Sequence, residues 1–177
     1  MTYKLLLLTA SFLVVLGIKS PSLAYDPDAL AQLLETGRPV CQGCDFSGSD
    51  LSGITGRTVR GAQVRQSRFT GANLSGSNFS GAYFTCSELV GANLSNGNFQ
   101  WANFVDADLS GADLSGADLS YADLTGAILT NAKIDGMQIK GAKMPDGRTI
   151  NDGQQDMRQF TPSRRVVNQR VRCFADQ

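Results

Sequence analysis

From Phe99 to Leu129 an apolar side chain returns at every fifth residue: Phe99, Phe104, Leu109, Leu114, Leu119, Leu124 and Leu129. Two positions earlier stands alanine (Ala102, Ala107, Ala112, Ala117, Ala122, Ala127), usually followed by Asn or Asp. An extended strand repeats every second residue and an α-helix every 3.6, so neither carries this pattern. A chain that turns a corner every five residues does. Each pentad then forms one short side of a square, and four pentads close one coil. The central Leu or Phe points inward, and the alanine points into the crowded corner where only a small side chain fits. The other three positions face water, and glycine is frequent at the corner because it adopts unusual backbone angles cheaply.

The period extends well beyond its clearest part. Ile54, Val59, Val64 and Phe69 open a phase that runs to Met144, and Phe46 and Leu51 precede it in an earlier phase, with Cys44 and Ser49 in the small position. The slip near Ser52-Gly53 reads as a bulge or small loop.

The uninterrupted run Ala107-Asp108-Leu109-Ser110-Gly111-Ala112-Asp113-Leu114-Ser115-Gly116-Ala117-Asp118-Leu119 resembles the pentapeptide-repeat family. The resemblance implies an all-β fold, a right-handed quadrilateral β-helix (solenoid). With neighbouring coils one strand spacing apart, about five coils make a stubby prism roughly 25 Å tall. The prelude Cys41-Gln42-Gly43-Cys44-Asp45-Phe46 and the leader described below look like exported members of that family from cyanobacteria and the thylakoid lumen.

Residues 20 apart should stack. The inward columns then read Ile54-Leu74-Leu94-Leu114-Ile134, Val59-Phe79-Phe99-Leu119-Ile139, Val64-Phe84-Phe104-Leu124-Met144 and Phe69-Leu89-Leu109-Leu129. Phe falls over Phe twice. Outside, Asn73 and Asn93, and Asn78 and Asn98, are placed to form amide ladders, while Asp113 meets Lys133 and Asp123 meets Lys143.

The flanks have a different character. Lys4, the apolar run Leu5 to Ile18 and then Ser22-Leu23-Ala24 form a secretory signal peptide over residues 1–24. The apolar run is shorter than the roughly 20 residues of a membrane helix, so no transmembrane segment is expected once it is cleaved. Residues 25–40 read as a capping helix: Asp26 suits the N-cap, Pro27 the first turn and Gly37 the stop, with Leu30, Leu33 and Leu34 on one face. Such a helix would cover the open end of a solenoid. The repeat itself spans residues 41–147 and breaks at Met144-Pro145-Asp146-Gly147. The tail 148–177 has no pentad phase and either caps the far end or forms an arm.

Composition narrows the chemistry. The chain holds 16 basic and 16 acidic residues and no His, so the commonest general base and metal ligand is missing. Asp108, Asp113, Asp118 and Asp123 are dispersed to four sides by their spacing, which defeats paired carboxylate catalysis or calcium ligation. No catalytic, cofactor-binding or metal residues are expected, and no cofactor. Among the three pairings of four cysteines, Cys41–Cys44 with Cys86–Cys173 is favoured: Cys86 lies at an outward corner, and a bridge to Cys173 would clamp the tail to the array. A redox CxxC normally opens a helix in a strand–helix unit, which is absent here. At one corner the column reads Gly61, Gly81, Trp101, Tyr121, Gly141, so Trp101 and Tyr121 replace glycine in register and are the candidate partner-docking residues.

The functional expectation is a non-catalytic extracytoplasmic scaffold in periplasm or thylakoid lumen, working by protein–protein interaction with an unidentified protein partner. The alternative is a DNA-mimicking inhibitor or protector of a DNA-binding enzyme such as gyrase, as the resemblance implies for cytosolic members. The leader and the banding of charge weigh against it: Arg57, Arg60, Arg65 and Arg68 lie near one end, Asp106 to Asp123 in the middle and lysines beyond. Nucleic acid is an unlikely partner on the same grounds.

Overall fold

The computed structural model describes residues 41–54, 60–150 and Cys173. The expected signal peptide and capping helix, Val59, and most of the tail lie outside the described residues. Among the described residues no helix is long and apolar enough to cross a membrane.

Each pentad is a short extended step followed by a turn. After the central residue, two residues make the corner, and the next small residue donates its amide back across it, as in Ala72 N–H to Phe69 O (2.9 Å) and Ala112 N–H to Leu109 O (3.0 Å). The second corner residue takes positive φ, the signature of a type II turn. Glycine fills most of these positions, and Gln66, Cys86, Asn96, Trp101, Asp106, Tyr121 and Asn131 hold the same angle at φ 55–62°.

Coils are joined by parallel one-residue bridges, not by long strands. Asn73 pairs with Asn93, Asn93 with Asp113 and Asp113 with Lys133, and the same step recurs on the other sides. Every coil is bonded to the next at each side, for example Leu89 N–H to Asp108 O (2.7 Å) and Asp113 N–H to Ala92 O (2.9 Å). The inward Leu, Phe and Ala side chains from Phe46 to Ala127 are sealed from water, while Leu129 and Ala132 near the end are partly exposed; each large buried side chain contributes about 1.5–3 kcal/mol before chain entropy. Phe79 stacks on Phe99 (centroids 6.0 Å, planes 5° apart) and Phe84 on Phe104 (4.9 Å, 4°).

The first pentads differ from the expected register. Phe46 lies on Phe69, with centroids 4.8 Å apart, and Asp45 pairs with Arg68 and Asp50 with Asn73, so partners there are 23 residues apart. Ser52 and Gly53 form no bulge: Gly53 donates to Ser75 O (2.7 Å) as Gly48 does to Thr70 O (2.9 Å). Ile54 is not an inward centre either. Its carbonyl accepts from Asn78 (2.8 Å) as that of Ser49 does from Asn73 (2.8 Å), which puts it in the small position of the first phase. Leu51, not Ile54, therefore sits against Leu74. The 20-residue step is restored by Gly61, which donates to Ser80 O (2.9 Å), so the three extra residues are taken up between Ile54 and Arg60.

At the other end the chain doubles back. Gly147 N–H reaches Met144 O (2.8 Å), Lys143 and Thr149 pair in antiparallel fashion, and Ile150 bonds to Gly141 and Ala142 while its side chain is buried with the core.

Candidate functional site

Three features depart from the bare repeat. Trp101 and Tyr121 occupy successive left-handed corners, both at φ 62°. For a non-glycine residue that geometry costs about 1–2 kcal/mol, and this corner takes it twice in succession. The rings stack with centroids 4.4 Å apart and planes 10° apart. Trp101 is 65% exposed and Tyr121 43%, the large hydrophobic side chains besides Val90 that face solvent among the described residues. The structure thus brings the two expected docking residues into one stacked aromatic step.

The cysteines form two bridges, Cys41–Cys44 and Cys86–Cys173, with Cα–Cα distances of 5.8 and 5.7 Å. In the first-phase register Cys41 is itself an inward centre, since its amide donates to Gln63 O (2.7 Å) as that of Phe46 does to Arg68 O. The first bridge therefore spans one corner, from the centre of one pentad to the small position of the next. The second joins Cys173 to a left-handed corner, and the residues stacked on either side of Cys86 face the same point. Gln66 Nε2 donates to the Cys173 carbonyl (2.6 Å), and the Asp106 carboxylate lies with both sulfurs in a group whose atoms are all within 4.8 Å. Sequence reasoning linked only the cysteines. The signal that finds Gln66 and Asp106 is the 20-residue step on either side of Cys86.

The carboxylates disperse around the prism, and their role is one that sequence reasoning missed. Asp113 Oδ1 accepts the amide of Ser115 (3.0 Å), Asp118 that of Ser120 (2.9 Å) and Asp123 that of Thr125 (3.0 Å). Asn73, Asn93 and Asn103 do the same for Ser75, Ser95 and Val105. The Asn columns thus turn their oxygens to their own corners, each side chain fixing the turn that follows it. The Ser115 hydroxyl and amide hold the Asp113 carboxyl below its ordinary value, with Lys133 assisting at 3.3 Å. For Asp123, burial pushes the other way and is outweighed by Thr125 and by Lys143 at 3.2 Å.

A family model described as pentapeptide repeats matches eight copies, over residues 62–100, 92–131 and 107–144. The chain belongs to the pentapeptide-repeat family. The family's fold, a right-handed quadrilateral β-helix, accounts for the ladders above. A pentapeptide-repeat protein (Rfr23) from the cyanobacterium Cyanothece 51142 is similar at 23% identity, covering 70% of this chain and 98% of its own, with a TM-score of 0.51. The pentapeptide-repeat protein HetL from Nostoc sp. strain PCC 7120, involved in heterocyst differentiation regulation, is 32% identical (62% of this chain, 50% of that one, TM-score 0.36). A pentapeptide-repeat protein of the Arabidopsis thaliana thylakoid lumen is also 32% identical (63% and 70%, TM-score 0.28). No curated protein sequence matches the chain significantly.

Proposed function

We propose that this pentapeptide-repeat protein is a non-catalytic, exported scaffold that docks a protein partner on the Trp101–Tyr121 corner. The observation that carries the reading is the stacked pair itself. Two large rings stand where the repeat uses glycine, exposed and stacked on each other. Rigid aromatic side chains lose little entropy on contact and are common interface anchors. The cysteine bridges suit an oxidising compartment, and the leader over residues 1–24 would deliver the chain there, to periplasm or thylakoid lumen. In the same layout residues 25–40 cap one end, and the tail is clamped by Cys173. Against the gyrase-directed alternative stand the Asp–Lys pairs at Asp113 and Asp123, which break up any continuous acidic face.

The test is crosslinking and capture from the exported fraction with the wild-type chain and with Trp101→Gly/Tyr121→Gly. Glycine is the usual occupant of this corner, so the variant keeps the fold. Loss of one specific partner supports the reading, and unchanged capture refutes it. N-terminal sequencing of the exported chain should begin at Tyr25. A chain recovered intact from the cytosol would overturn the export.

A further inference from the structure

The corner that holds Cys173 contains more chemistry than a clamp needs. Gln66, Cys86 and Asp106 are consecutive members of one corner column, all non-glycine and all left-handed (φ 55, 58 and 58°). All three converge on Cys173: an amide on its carbonyl, a sulfur on its sulfur and a carboxylate beside both sulfurs. The next member is Gly126, where an added Cβ would overlap the Asp106 carboxylate. The column is shaped around that carboxylate, and Asp106 Oδ1 is enclosed.

We propose that this corner, with its disulfide reduced, is a binding site for one thiophilic divalent cation such as zinc or cadmium, held by Cys86, Cys173 and Asp106. A dithiol reductant breaks the S–S bond. It delivers two electrons and two protons to give two thiols, and is itself oxidised to a disulfide. The cation then displaces both thiol protons and is bound by two thiolates and the carboxylate, with a water in the fourth position. Donors about 2.0–2.3 Å from a zinc-sized ion stand roughly 3.3–3.8 Å apart, inside the 4.8 Å limit of this group. Thiolate donors select zinc or cadmium over magnesium or calcium. A divalent charge also offsets two of the three negative charges gathered at one shielded corner. The same residues thus serve two states, a covalent clamp when oxidised and a metal clamp when reduced, both fixing the tail.

The experiment uses the full chain with Cys41→Ser/Cys44→Ser, which removes the other dithiol. After reduction and anaerobic removal of the reductant, cobalt(II) and cadmium(II) are titrated separately. The expected result is one ion per chain, thiolate-to-metal absorption, tetrahedral cobalt bands and release of about two protons per ion. Cys173→Ser should abolish the thiolate signal of a two-sulfur site. Asp106→Asn should weaken cadmium binding about tenfold or more; its fold is safe because Asn96 and Asn131 occupy the same corner geometry. No thiolate band, one ion per two chains, or affinity unchanged by Asp106→Asn would each overturn the site.

Discussion

The Tyr121 ring lies flat over Gly141, the residue one coil further on, in the space that a Cβ would fill. A methyl group built there would stand 2.5 and 2.6 Å from Tyr121 Cδ1 and Cε1. Trp101 rests in turn on Tyr121, so the direction of both rings depends on a residue that has no side chain. Gly141→Ala should destabilise by about 1–2 kcal/mol through its positive φ, and by more because the ring must move. Gly81→Ala is the control, at the same corner with nothing within 4 Å of its Cβ. Denaturant unfolding should show the larger loss for Gly141→Ala, and the fluorescence of Trp101, the one tryptophan in the chain, should change in that variant alone. Equal losses with unchanged fluorescence would show that Gly141 does not support the stack.

Phe84 is the hub of the aromatic core. It stacks on Phe104 and meets Phe69, Phe79 and Phe99 at 5.4, 5.4 and 6.2 Å. Among the described residues Phe46 has a single ring neighbour, Phe69. Truncating a buried Phe to Ala costs about 3–5 kcal/mol, and aromatic pairs add about 0.5–1.5 kcal/mol each. Phe84→Ala should therefore lie at the upper end or beyond, and Phe46→Ala below it. Urea midpoints for the two variants decide the order, and a larger loss for Phe46→Ala would mean that the ring contacts do not govern stability here.

What the sequence made legible was whatever repeats. Leu and Phe at every fifth residue fixed the inward columns from Val64 onward, and stacking in twenties placed Trp101 on Tyr121 and Lys133 on Asp113. Register at the start was not legible, because hydrophobicity alone does not separate an inward centre from a small position. Ile54 is apolar and falls five residues before Val59, yet its carbonyl bonds as that of Ser49 does. The corner around Cys173 was half legible. Cys86 advertises itself, whereas Gln66 and Asp106 look like ordinary exposed polar residues until Cys173 is placed beside them. The acidic run was half legible for a similar reason: Asp113 and Asp118 stand at water-facing positions of the pentad, and each also bonds the turn that follows it.

The 23-residue step at the start gives a direct chemical test. Asp45 is bridged to Arg68 through the backbone and through an ion pair of 2.7 Å, whereas a uniform 20-residue step would place it beside Arg65. In a Cys41→Ser/Cys44→Ser background, Asp45→Cys with Arg68→Cys should oxidise readily, since neighbouring chains in a ladder stand about 4.8 Å apart and a disulfide spans Cα atoms up to about 6.8 Å apart. Asp45→Cys with Arg65→Cys should remain largely reduced. Thiol titration after mild oxidation reads both, and the reverse preference would restore the uniform register.

The turn-fixing carboxylates set the behaviour in acid. Asp50 and Asp113 are held below the ordinary carboxylate value chiefly by the hydroxyls and amides of Ser52 and Ser115. For Asp118, burial raises the value and the Ser120 and Gln100 hydrogen bonds outweigh it. A group whose folded pKa is depressed contributes stability that is complete above its unfolded pKa, about 3.9 for Asp. That contribution is lost as pH falls from there through the folded value. The melting temperature should accordingly be flat near neutrality and fall once pH drops below about 4. Asparagine offers the same acceptor oxygen without titrating, and the chain already uses it at Asn73, Asn93 and Asn103. Asp50→Asn/Asp113→Asn/Asp118→Asn should therefore fold normally at neutral pH, lose the exposed Lys133 pair and the Gln100 hydrogen bond to Asp118 Oδ2, and show a shallower acid limb. If the triple variant melts with the same acid dependence as the wild type, these carboxylates are not what acid attacks. If it fails at neutral pH, the negative charge rather than the hydrogen bond was holding the turns.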